Sequence, residues 1–215
     1  MIVDPTTEAI AESGVVAVLR APTAEQFGAV TTTLVEAGLR VIEVTLTSRG
    51  ALEFLASLTR EVPPGVRVGA GSVMDRDDAK ACVDAGAAFL VSPVFDVDVL
   101  TVGLASGIPT YPGALTPTEV VVASRAGAPA VKIFPASSVG PRYIKDLHGP
   151  LPGVRLMPTG GIAIDDIGGW LTAGAMAVGL GGPLLGDAGD GGSLKSLRDR
   201  AKRAVDAVAA VRGAA

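Results

Sequence analysis

"AVKIFPAS", residues 130–137, sets one lysine in the middle of an apolar run. Ala130, Val131, Ile133 and Phe134 flank Lys132, and Pro135 ends the run. A short apolar run bounded by a breaker reads as a buried strand. Lysine is almost never fully buried unless it is paired, and desolvation lowers its pKa. Lys132 therefore either reaches out to water or is held unprotonated where it can do chemistry.

Seven similar runs occur along the chain: "VVAVLR" (15–20), "VIEVTL" (41–46), "VRVGAG" (66–71), "FLVSP" (89–93), "IPTYPG" (108–113), "VRLMPTGG" (154–161) and "AVGLGG" (177–182). With "AVKIFP" they begin about every 19 to 26 residues, enough for a strand and a helix. They are rich in Val, Ile and Leu without clean alternation, which suits strands covered on both faces. The segments between them carry helix signals. "TAEQFGAVTTTLVEAG" has Thr23 three residues before Gln26, a capping-box pattern, and closes on Gly38. "TPTEVVVASRAG" pairs Thr116 with Glu119 and puts Pro117 at the first helical position. "DRDDAKACVDAG" and "IDDIGGWLTAG" end on glycines, and "SLKSLRDRAKRAVDAVAAVRG" is a long amphipathic helix. Eight β–α units in order predict an α/β fold: one (β/α)8 TIM-barrel domain over residues 1–215, with an extra N-terminal helix in "PTTEAIAES". A doubly wound sheet is the alternative, but no glycine fingerprint follows the first run.

The composition narrows the function. The 215 residues are 48% hydrophobic and 19% charged, with a net charge of -4. No Lys/Arg cluster lies beside an aromatic strip, which argues against nucleic acid. No apolar stretch nears the roughly 20 residues that span a bilayer, so no membrane partner is expected. The N-terminal stretch lacks a signal-peptide pattern, and a soluble, cytoplasmic protein is expected. Cys82 is the single cysteine, so there is neither a disulfide framework nor a CxxC metal site. His148 is the single histidine and is placed on the surface, away from the catalytic rim. Histidine-rich metal chemistry is thus out of reach, and neither metal nor cofactor is expected.

Charges inside strands are costly in a barrel, where both faces are packed. Arg67 and Arg155 stand at strand beginnings, at the bottom rim, and read as structural. Arg20 ends its strand at the top rim. Glu43 shares a face with Val41 and Thr45, and Lys132 shares one with Ala130 and Phe134; the opposite faces are wholly aliphatic. Both charges are therefore expected to point into the barrel, near one another. They are either a buried ion pair that helps fix the fold or a catalytic pair. The glycine turns "PTGGI" (158–162) and "GLGGPLLG" (179–186) follow runs seven and eight, where barrels often bind phosphate. Plain turns are the other reading.

With these marks in place the chain resembles the KDPG/KHG aldolase family. The family contains class I lyases acting on 2-keto-3-deoxy-6-phosphogluconate or 4-hydroxy-2-oxoglutarate. The likeness runs from about residue 8 to 210 and rests on "VVAVLR", "AGLRVIEVTLTS", "VGAGSVMD", "GAAFLVSP", "YPGALTPTE", "VKIFPAS", "GPRYIKDLHGPLP", "PTGGI" and "AVGLGG". It implies a homotrimer, with Lys132 as the Schiff-base lysine and Glu43 as the general acid/base. It puts Ser72 near the pyruvate carboxylate, where members commonly have threonine, and Pro93 and Phe134 in the pocket wall. Arg20 would bind an anionic end of the substrate, carboxylate or phosphate. Gly160, Gly161, Gly181 and Gly182 would form the phosphate cradle, with Thr159 among the substrate-binding residues. Thr47 joins the substrate-binding set at a position where many members carry arginine. Gly182, before Pro183, occupies a position that is often serine. "KIFPASSVGPRYIK" is also similar to the aldolase for the galactonate epimer. Two other classes remain: a phosphosugar isomerase or thiamine-phosphate-synthase-like transferase, and a non-catalytic phosphate-ligand-binding barrel. Neither needs an interior lysine.

Overall fold

The computed structural model describes residues 4–213. Helix α1 (Pro5–Ser13) precedes β1 (Val15–Leu19), and strands and helices then alternate: α2 (Phe27–Glu36), β2 (Val41–Thr45), α3 (Ala51–Glu61), β3 (Arg67–Gly71), α4 (Arg76–Asp84), β4 (Leu90–Val91) and α5 (Val97–Ser106). The second half continues with β5 (Thr110–Tyr111), β6 (Gly113–Ala114), α6 (Pro117–Arg125), β7 (Val131–Ile133), α7 (Pro141–His148), β8 (Leu156–Pro158), α8 (Ile167–Thr172), β9 (Val178–Leu180), α9 (Gly182–Leu185) and α10 (Leu194–Arg212).

The strands form two parallel sheets, ordered β5-β4-β3-β2-β1-β9 and β6-β7-β8. This differs from the eight strands read from the runs. The fifth run breaks at Pro112, which has no N–H to give to a ladder, and yields β5 and β6 in different sheets. A parallel bridge between Thr159 and Gly179 links the end of β8 to β9. On the other side the Gly113 N–H donates to Val94 O.

Side-chain parity divides the core in two. Val16, Val41, Phe89, Val91, Tyr111, Ala130, Met157 and Ala177 pack together inside the curl of strands. Ile42, Val44, Val131 and Ile133 face the helices instead, as their alternation predicts. Ile10 of α1 joins the inner cluster. The predicted extra helix therefore closes the end where the strands begin. It is held there by Thr7 Oγ1, 2.8 Å from the Tyr111 hydroxyl, and by Arg155 on Glu8 at 2.6 Å. Burial pushes the Tyr111 hydroxyl's pKa well up, so it stays protonated and can donate. At the far end of the helix, Arg212 donates to the Ala11 and Glu12 carbonyls.

The helix caps follow the sequence in part. Thr116 and Glu119 form the full capping box of α6, with Pro117 at its first position. Replacing Thr116 with Ala is expected to cost about 1 kcal/mol. The readout is a lower urea midpoint at unchanged m; an unmoved midpoint would mean the cap contributes nothing. The capping box read at Thr23 is not made. Helix α2 begins at Phe27, with Gln26 before it and no side-chain cap, and Thr23 lies upstream in a backbone bridge to Arg49.

Candidate active site

Lys132 lies in the middle of β7, paired with Gly113 of β6 and Met157 of β8. Its backbone N–H donates to Pro112 O, which fixes the direction of its side chain. Parity turns the chain inward, and only 3% of the residue is exposed. Nζ sits 5.1 Å from the Phe134 ring centroid. Burial drives the amine below the ordinary lysine range; Glu43 opposes this, and Arg20 reinforces it. The net shift is downward, so desolvation outweighs the carboxylate.

Glu43 occupies β2 between Val18 and Gly69 and is 1% exposed. No ion pair within 4.0 Å joins it to Lys132. The structural ion pair that the sequence left open is therefore not formed. Glu43 Oε1 is instead sealed from solvent with no hydrogen-bond partner. A buried acceptor left unsatisfied is costly, and a donor brought in from outside the chain would relieve it. The room for this carboxylate comes from Gly71. A Cβ built there would lie 1.9 Å from Oε1 and 2.5 Å from Cδ.

Above this pair lies a polar rim. Arg20 is exposed and its Nη2 donates to Ser72 Oγ at 2.9 Å. Ser72 has a φ of 58°, a left-handed backbone uncommon outside glycine. That turn carries its hydroxyl off the strand alternation and toward the arginine. Thr45 Oγ1 donates to Leu19 O at 2.8 Å, and the exposed Thr47 hydroxyl donates on to Thr45 at 3.3 Å. Half-buried Pro93 presses its carbonyl against Gly113, beside Lys132, where a Cβ would come within 2.1 Å.

The glycine loops lie on the same side. Gly160 and Gly161 have φ values of 97° and 74°. A Cβ on Gly160 would meet Phe134 at 3.1 Å, so this loop rests on the ring beside Lys132. Buried Thr159 points its hydroxyl into the space left by Gly179, and their bridge sets the two loops side by side. Gly181 lies 3.8 Å from Val18 O, measured from its would-be Cβ. Among the described residues, the N–H groups of Gly161 and Gly182 have no backbone acceptor. Such amides suit an anion.

Two features differ from the sequence reading. His148 is half-buried, not on the surface. It ends α7 against Gly174, and its Nε2 is sealed without a partner. Gly71 and Gly113 were not singled out. Their only signal was an inward-parity glycine beside an inward carboxylate or lysine, which requires the strand register. Among the described residues no cluster of three or more His, Cys, Asp or Glu is arranged to hold a metal. No described helix is long and apolar enough to cross a membrane.

A family profile described as KDPG and KHG aldolase matches residues 6–195. The chain belongs to that aldolase family. It is accordingly a carbon–carbon lyase. Family members named for two sugar epimers match it. A probable 2-dehydro-3-deoxy-6-phosphogalactonate aldolase of Rhizobium meliloti is 30% identical over 198 residues, covering 92% of this chain and 93% of its own. A 2-dehydro-3-deoxy-phosphogluconate aldolase of Pseudomonas aeruginosa is 36% identical over 139 residues, 64% of this chain and 63% of its own. The KDPG aldolase of Legionella pneumophila, whose crystal structure holds pyruvate as a covalent carbinolamine, superposes with a TM-score of 0.80. It is 28% identical and covers 95% of this chain and 97% of that one.

Proposed function

We propose that this aldolase is a class I Schiff-base enzyme that cleaves 2-keto-3-deoxy-6-phosphogluconate to pyruvate and glyceraldehyde 3-phosphate. On this reading it also splits 4-hydroxy-2-oxoglutarate to pyruvate and glyoxylate. The observation that carries the reading is the buried, pKa-lowered Lys132 amine with an unpartnered Glu43 carboxylate in the same interior. Neutral Lys132 attacks the C2 ketone, and water leaves as the iminium forms. Glu43, directly or through a water, takes the proton of the C4 hydroxyl. The C3–C4 electron pair then moves into the iminium, giving an enamine and releasing the aldehyde. Glu43 returns the proton to C3, and hydrolysis frees pyruvate and the amine. Covalent capture divides a difficult carbanion step into easier ones.

Arg20 and Ser72 would hold the carboxylate end, and the amides of Gly161 and Gly182, next to Gly160 and Gly181, would hold the phosphate. Thr159, Thr47, Pro93 and Phe134 would complete the wall. The galactonate epimer is the second reading, favoured by the near-complete span of the Rhizobium relative. The two sheets are read as one closed (β/α)8 barrel, β5 and β6 sharing a single position; the Thr159–Gly179 bridge and the Gly113–Val94 bond support closure. A homotrimer is supported by exposed Met74, Val94 and Val97 beyond neighbouring strand ends, where the Arg76–Asp98 ion pair ties the starts of α4 and α5 together. A cytoplasmic location suits the single, free and buried Cys82.

Borohydride reduction with pyruvate, followed by peptide mass mapping, tests the chemistry. The expected adduct is on Lys132, formed at neutral pH because the amine lies below the ordinary lysine range. An adduct on another lysine, or none, would remove the assignment.

A further inference from the structure

Helix α9 is a single turn of four residues, too short to hold itself in place. Its carbonyl end is clasped by a residue from another helix. Arg200 of α10 donates Nε to Leu184 O and Nη2 to Leu185 O, both at 2.6 Å. The fit is close. Gly186, which follows the turn, has a φ of 56°, and a Cβ there would come within 2.6 Å of Arg200 Nη2. Helix α10 is itself anchored through buried Leu197, Ala201, Ala204 and Val208. At its other end the turn begins with Gly182, and the Gly181 carbonyl accepts from Leu184 and Leu185. One guanidinium thus joins a long, rigid helix to the segment carrying the Gly182 amide.

We infer that Arg200 is a positioning residue for the phosphate end of the substrate, acting through α9 without touching the ligand. A guanidinium fork suits two adjacent carbonyls, whereas lysine can reach them only as a single point donor. The inference rests on the phosphate cradle proposed above, and it concerns that subsite alone. Lys132 and Glu43 stand on β7 and β2, away from the clasp, and should not feel its loss.

The test compares wild type with Arg200→Met and Arg200→Lys. Readouts are cleavage of 2-keto-3-deoxy-6-phosphogluconate and of unphosphorylated 4-hydroxy-2-oxoglutarate, pyruvate trapping, and inhibition by inorganic phosphate. For Arg200→Met the expected result is a KM for the phosphorylated substrate raised about tenfold, with phosphate inhibition weakened alike, since a tenfold change is about one lost interaction. The KM for the unphosphorylated substrate and the trapping rate should stay within about twofold of wild type. Arg200→Lys should fall between the two. Equal losses on both substrates, or no selective change, would overturn the inference. Should Arg200→Met fail to fold, the same selectivity in Arg200→Lys decides the matter. If wild type itself is neither inhibited by phosphate nor selective for the phosphorylated substrate, the cradle reading fails first.

Discussion

Lys132→Met is expected to abolish turnover, by on the order of 10⁴-fold or more as for the loss of a covalent nucleophile, while the protein becomes no less stable. The two halves of this result discriminate between the roles of the buried charges. Had Lys132 and Glu43 formed a structural ion pair, removing one partner would cost roughly 3–5 kcal/mol. They form none within 4.0 Å. The fold already disfavours the charged amine, since burial lowers its pKa. The sign follows from proton counts. Between the lowered folded-state value and about 10.5 the unfolded chain holds this proton more firmly than the folded one, so stability rises with pH across that window. An apolar side chain removes that penalty, and the melting temperature at neutral pH should hold or increase. A sharp fall in melting temperature with some activity retained would restore the structural reading.

Gly71→Ala should be nearly as damaging, although the substitution adds one methyl group. That methyl would occupy the space of the Glu43 carboxylate, at 1.9 Å from Oε1. Backbone on β3 cannot retreat easily, because Gly71 is paired with Thr45 and its carbonyl accepts from Leu46. The carboxylate must swing away. Loss of a positioned general base costs about 10²–10⁴-fold, and cleavage should fall by that range. Pyruvate should still be trapped on Lys132, because the amine is untouched. Glu43→Gln should give the same split between trapping and cleavage. A Gly71→Ala enzyme with wild-type cleavage would show that the carboxylate does not need its observed position.

The order of elements was legible because apolar runs and glycine-terminated helices alternate at a near-constant interval. The inward direction of Glu43 and Lys132 was legible too, since parity along a strand is a strict consequence of the pleat. Distances across the interior were not. Whether two inward charges touch depends on register and tilt, which no single strand encodes, and so the ion pair stayed open. The same limit hid Gly71, whose role appears only when β3 is laid beside β2 in the observed register. Pro112 was visible in its run, yet its effect depends on which neighbour would have received its missing N–H. Arg200 was invisible for another reason. Its partners are backbone carbonyls, and these leave no mark in a sequence.

The short first helix covers the end of the interior where the strands begin. With Ile10 lodged among the inner residues and Tyr111 tied to Thr7, the interior is packed shut at that end. On the proposed chemistry, reactant and products would then pass through the opposite rim. With pyruvate bonded to Lys132 on that same chemistry, an aldehyde product held nearer the opposite rim would depart before it. On that proposal release would be ordered by architecture. In the reverse direction the same arrangement would make pyruvate load first and the aldehyde second.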